Sequence, residues 1–182
     1  MKKVLSVLFL ILGFMFAFGA KAFAYYYGPT WNVTPIYVHI PEDKQTVTME
    51  HAFQRWEKVS SNKLKFEFVD NEDDADITVE FVDDIDGSDG EVGAYALTVQ
   101  GNLIKKANIQ IINNDDKKYS DDMMFTTMLH EIGHAIGLSD SGRNFGIMRM
   151  PVNENQDIVK RDMIMLYKLY GWSTMPNGTY RY

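Results

Sequence analysis

The chain has 182 residues, a formal charge of −7 at pH 7, four histidines and no cysteine. Disulfides, cysteine-ligated metals and cysteine nucleophiles are thereby excluded. The acidic balance argues against electrostatic binding to nucleic acid or to an anionic membrane surface.

The first 24 residues, MKKVLSVLFLILGFMFAFGAKAFA, read as a secretory signal peptide. Lys2 and Lys3 start it, an apolar run from Val4 to Phe18 fills it, and Ala22-Phe23-Ala24 ends it. The alternative is a retained anchor, because the apolar run approaches the ~18 residues that suggest a membrane span. The small-residue ending and the polar, aromatic YYYGPTWN that follows favour cleavage after Ala24. Residues 25–182 then form one domain, and loss of three unbalanced lysines takes the charge from −7 to −10. No second hydrophobic span follows. The expectation is a secreted or extracellular, monomeric protein without stable membrane insertion after cleavage.

IYVHI (36–40) alternates and is stopped by Pro41, so a short strand is expected. TVTMEHAFQRWEKVS (46–60) places Met49, Ala52, Phe53, Trp56 and Val59 at helical spacing, with polar residues on its other side. KFEFV (65–69) and DITVEFV (76–82) alternate as strands around a polar turn. DDIDGSDGEVG (83–93) is loop. AYALTV (94–99) and ANIQII (107–112) are two further strands, joined by a turn at Gly101-Asn102. A second helix, capped by Ser120, Asp121 or Asp122, runs through MMFTTMLHEIGHAI and ends at Gly137. QDIVKRDMIMLYKLYG (156–171) is a third, with Ile158, Met165, Leu166 and Leu169 as its buried stripe. The order implies an α+β domain, one twisted mixed sheet with three helices packed against it.

The chemistry concentrates in HEIGHAIGLSD (130–140). Residues four apart on a helix share a face, so His130 and His134 can present imidazole nitrogens to one point. A catalytic zinc takes three protein ligands at about 2 Å and leaves a fourth place for water. Glu131 is placed to take a proton from that water and return it to a leaving amine. Two histidines and a glutamate on a solvated helix face are the plain alternative. Met128, Leu129, Ile132, Ala135, Ile136 and Leu138 argue against it, because buried and unpaired His and Glu are costly. Gly137 lets the chain turn so that the residue three further on can swing back; no histidine follows His134, so the third ligand at this spacing can only be Asp140. A carboxylate in that role is chemically ordinary. The other two histidines, His39 on a strand and His51 on a helix, read as structural or surface residues.

HEIGHAIGLSD followed by SGRNFGIMRMP resembles the metzincin clan of zinc endopeptidases and, within it, the matrixins or matrix metalloproteinases. PIYVHI, AFQRW, KFEFV, ADITVEFV and DIVKRDMIMLYKLYG resemble matrixin segments in the same order. The resemblance implies a metzincin (zincin-like) fold and one catalytic zinc. It places Met148 in a methionine turn beneath the metal, as a floor and not a ligand. It further implies a protein or peptide substrate that pairs with an edge strand near ANIQII. RMPVN (149–153) would line the pocket for the side chain after the scissile bond.

The departures are equally specific. Matrixins usually end the motif with histidine, whereas this chain has Asp140. Tyr95 stands where a ligand of a second, structural zinc is expected, and Asn108 or Gln110 replaces another, so that second zinc is not expected. The stretch DDIDGSDGE offers carboxylates and carbonyls of the kind calcium takes, or is simply a solvated turn. Matrixins are commonly kept latent by a propeptide cysteine; the sequence holds no cysteine, and no propeptide is expected. The leading expectation is a secreted zinc-dependent endopeptidase; a secreted, non-catalytic binding or inhibitory module on the same fold is the alternative.

Overall fold

The computed structural model describes residues 28–85, 92–113, 119–142 and 146–172. The expected leader and most of the acidic stretch, 86–91, lie outside them. Among the described residues, five strands and three helices follow one another as β1 (Ile36–His39), α1 (Thr46–Val59), β2 (Phe66–Phe68), β3 (Ile77–Val82), β4 (Gly93–Gln100), β5 (Leu103–Ile112), α2 (Asp121–Ala135) and α3 (Lys160–Leu169). A short 3₁₀ turn, Glu72–Asp74, precedes β3. The protein is α+β with a mixed sheet, as its residue patterns imply.

The sheet order is β2-β1-β3-β5-β4. β1, β2, β3 and β5 run parallel, and β4 alone is antiparallel, paired to β5 through the tight turn at Gly101-Asn102. Gly101 takes φ +63° there, a conformation that costs glycine nothing. This order corrects the edge assignment. ANIQII lies within β5, between β3 and β4, with both of its hydrogen-bonding edges occupied. β2 and β4 are the edge strands, and the edge beside β5 belongs to β4, because a two-residue turn folds AYALTV back onto the outside of β5.

One face of the sheet carries the core. Ile36, Val38, Ile77, Val79, Ile109 and Ile111 point inward against α1 and α2. Met49, Ala52, Phe53, Trp56 and Val59 of α1 are all buried, the stripe that the helical spacing predicts. The opposite face is polar: Asn108 donates to Thr78 and Glu80, and Gln110 donates to Glu80. A surface recess of about 470 Å³ lies near it, between the Glu72–Asp74 turn and Ala96, Thr98 and Lys106. None of its lining residues belongs to the histidine cluster.

The third helix is shorter than expected. It begins at Lys160, not Gln156, because Val159 is extended (φ −106°, ψ 168°) and serves as its N-cap. Ahead of it, Asp157 grips Arg55 of α1 through two bonds of 2.8 and 3.2 Å, and Ile158 enters the core. Met163, Leu166 and Tyr167 form the buried stripe, while Met165 and Leu169 are only partly covered.

Candidate metal centre and active site

The helix that carries His130, Glu131 and His134, α2, is fastened at both ends. Ser120 caps it by accepting from the Met123 amide, with Asp121 and Asp122 in the first turn. At the other end, Leu138 N–H donates to Gly133 O and Gly137 N–H to His134 O, the paired bonds of a Schellman turn. Gly137 sits at φ +94°, and a Cβ there would lie 2.1 Å from the Pro29 carbonyl oxygen. Carbonyls left over at this end are taken by aromatic donors: Trp31 Nε1 on Ala135 at 2.9 Å and Tyr170 Oη on Ile136 at 3.0 Å. Trp56 Nε1 adds a bond to Leu129 O at 3.0 Å.

That fixed helix turns His130 and His134 to one side. Their Nε2 atoms are 3.0 Å apart, and Asp140 Oδ1 swings back to lie 3.3 Å from the first and 3.1 Å from the second. Each ring's Nδ1 faces a backbone carbonyl, Ile147 O at 2.8 Å for His130 and Leu138 O at 2.9 Å for His134. A carbonyl only accepts, so both Nδ1 atoms carry a proton, and in the neutral rings both Nε2 atoms offer lone pairs. Burial, and His130 beside it, push His134 below its ordinary range, although Leu138 O and Asp140 pull the other way. The contacts to Asp140 are therefore not ordinary ion pairs. Three electron-rich atoms converge, a repulsive arrangement that a shared cation relieves. Tetrahedral zinc with bonds of about 2.0–2.1 Å spaces its ligand atoms about 3.3 Å apart, close to the spacing here. The donor set fits the metal. Among the described residues no other group of His, Asp and Glu converges in this way.

Met148 lies underneath. It is fully buried, and Gly133 on the helix makes room for it: a Cβ at Gly133 would stand 2.3 Å from the Met148 sulfur. The turn that carries Met148 is tied to the site at several points. Ile147 O receives His130, and Met148 O receives the Ser141 amide, one residue past Asp140. The amides of Ile147 and Met148 donate to Asp162 of α3, whose Oδ2 also accepts from Val159 N at 2.8 Å. Burial raises the Asp162 carboxyl above its usual value, against the pull of these amides.

Residues 27–171 match the family model described as Matrixin. The chain belongs to the matrixin family. No curated protein matches it in sequence. Membership makes the chain one of a zinc metalloprotease family, and the fold and the converging donors agree with it.

In this matrixin, Glu131 is buried beside the cluster. Gly93 of β4 presses against it: a Cβ at Gly93 would come within 2.6 Å of Thr127 Cγ2 and 2.7 Å of Glu131 Cγ. Tyr95, two residues along the same strand, stacks on the His134 ring at 4.0 Å and 12°. Burial, Asp140 and Glu131 all raise the Tyr95 hydroxyl. The remaining two histidines stay apart. His39 Nδ1 lies 3.2 Å from Val69 O, and His51 is exposed on α1. Asn108 and Gln110 sit in the polar ladder on the far face.

Four residues that shape the site escaped the sequence reading. Gly93 was folded into a loop, although a glycine opening a strand signals close approach of another element. Gly133 is a poor helix former in the middle of the motif helix, which marks a packing need. Asp162, an acid at the third position of a helix among apolar residues, carries the signature of a carboxylate that reaches back to the helix start. Tyr95 was noticed only for not being histidine, and nothing in sequence marks a stacking partner 39 residues away.

Proposed function

We propose that this matrixin is a secreted zinc-dependent endopeptidase in which His130, His134 and Asp140 hold one zinc ion and Glu131 is the general base. The observation that carries the reading is the convergence of three lone-pair donors, with both Nδ1 atoms already committed to carbonyls. Bound there, zinc supplies a Lewis acid and brings the ionisation of its water into the neutral range. Glu131 takes the water's proton on its carboxylate and returns it to the departing amine nitrogen. The free edge of β4 offers amides and carbonyls to an extended peptide, and 149–153 flank the side chain after the scissile bond. Low affinity of His134 for a proton favours the neutral ring that metal binding requires. Asp140 leaves the site less positive than a third imidazole would, which makes the bound water a stronger base once ionised. Secretion rests on the charged, apolar and small-residue succession of residues 1–24, and N-terminal sequencing of the exported protein should read from Tyr25.

The deciding experiment joins metal analysis to a peptide-library assay on the purified protein and its Glu131→Gln variant. One zinc per chain in both is expected, with turnover in the variant lower by about 10²–10⁴. Full activity in the variant removes Glu131 as base. Zinc in the wild type without cleavage of any peptide makes the chain a binding module instead.

A further inference from the structure

The two histidines are steadied in different ways. His130 is 2 % exposed and enclosed by the core and the methionine turn. His134 is likewise only 3 % exposed. Its cover is Tyr95, whose ring lies flat on it while the edge of His130 meets it at 85° and 4.6 Å. The bond from Nδ1 to Leu138 O sets the direction of one ring atom but leaves the ring free to rock about that line. A parallel aromatic face 4.0 Å away removes this last freedom.

The register that brings the rings together follows from the two elements. Alternate residues of a strand face one side, so Gly93 and Tyr95 both look toward α2, about 6.7 Å apart. Thr127, Glu131 and His134 form one stripe of the helix, and the step from the first pair to His134 is about 7.5 Å. Gly93 opposite Thr127 and Glu131 therefore sets Tyr95 opposite His134. The bare glycine lets the strand lie close enough for the stack to form. Tyr95 itself is 44 % exposed, a cover on the ligand and not a core residue.

We infer that Tyr95 is a positioning residue for the metal ligand His134, holding the imidazole plane so that Nε2 points at the ion, and that the flat ring does this, not the hydroxyl. The inference rests on the metal site proposed above. Groups that orient a metal-binding histidine typically change metal affinity 10–100-fold when removed.

The test measures zinc affinity by competition with a chromophoric chelator, and the visible spectrum of the Co²⁺-substituted protein, for wild type, Tyr95→Phe, Tyr95→Leu and Tyr95→Ala. Phe should match wild type in affinity, spectrum and turnover. Ala and Leu should lose about tenfold or more in zinc affinity with altered Co²⁺ bands, and saturating zinc should restore their turnover. Leu fills the space without a flat face, so it answers the question even where Ala does not fold. Wild-type affinity in Leu or Ala overturns the inference. Loss of turnover in Phe at unchanged affinity also overturns it, by assigning the work to the hydroxyl. A wild-type protein that takes up no zinc defeats the metallopeptidase reading instead, and the two failures are distinct.

Discussion

The histidine-bearing helix α2 and the edge strand β4 lie side by side and are held in opposite ways. The helix is capped at both ends, receives three aromatic hydrogen bonds on its carbonyls and is buried along its last ten residues. The strand has one partner, an irregular register near Thr98 and Val99, and no fully buried residue. The difference teaches how the site divides its tasks. Under the proposed function, two of the three metal donors sit on the element with the most anchors, and Asp140 comes from the loop that follows it. A peptide needs an edge whose backbone is unpaired, and a strand with that edge open cannot also be enclosed.

Substitutions on the two sides should therefore fail differently. The largest effect is expected from Gly137→Ala, which sets a Cβ against the Pro29 carbonyl at an unfavourable φ and should cost about 4 kcal/mol in urea unfolding. An ordinary surface value of under about 0.5 kcal/mol would show that the helix end is not rigid.

Asp162→Ala should come next, at about 3 kcal/mol, because it orphans the amides of Ile147, Met148 and Val159. Its pH dependence has a definite sign. The folded carboxyl titrates above its unfolded value of about 3.8, so the native state holds that proton more tightly. The corresponding stability is fully present below about pH 3.8 and is lost as pH rises through the folded value. Urea unfolding from pH 4 to 7 should show this component in wild type and not in Asp162→Asn; identical profiles would contradict it.

On the strand side, Gly93→Ala should strike function before stability. Its Cβ displaces Glu131, and with Glu131 as the proposed general base a shift by a fraction of its reach should lower kcat by about 10²-fold at a cost of about 1 kcal/mol. Thermal melting beside steady-state kinetics separates the two, and a large melting shift with normal kcat would reverse the comparison. The smallest effect is expected from Val99→Thr, 43 % exposed on β4. It should change stability by less than about 0.5 kcal/mol, and a larger loss by calorimetry would mean that the edge is less open than it looks.

Local pattern was enough for much of this molecule. The α1 stripe, a cap within Ser120–Asp122, the end of α2 at Gly137 and the pairing of His130 with His134 all follow from periods and end signals within one turn or one strand. Such signals are local because backbone hydrogen bonding and side-chain spacing are local. The start of α3 was misplaced for a matching reason: Asp157 and Ile158 are pulled out of the helix by Arg55 and the core, partners far away in sequence. Which strand is left free was likewise decided by the sheet, where a hairpin turned β4 outward and buried ANIQII. Only the tertiary structure set Gly93 on Glu131, Tyr95 on His134 and Asp162 beneath the methionine turn. Those contacts depend on distances between elements, and packing between elements has no period along the chain.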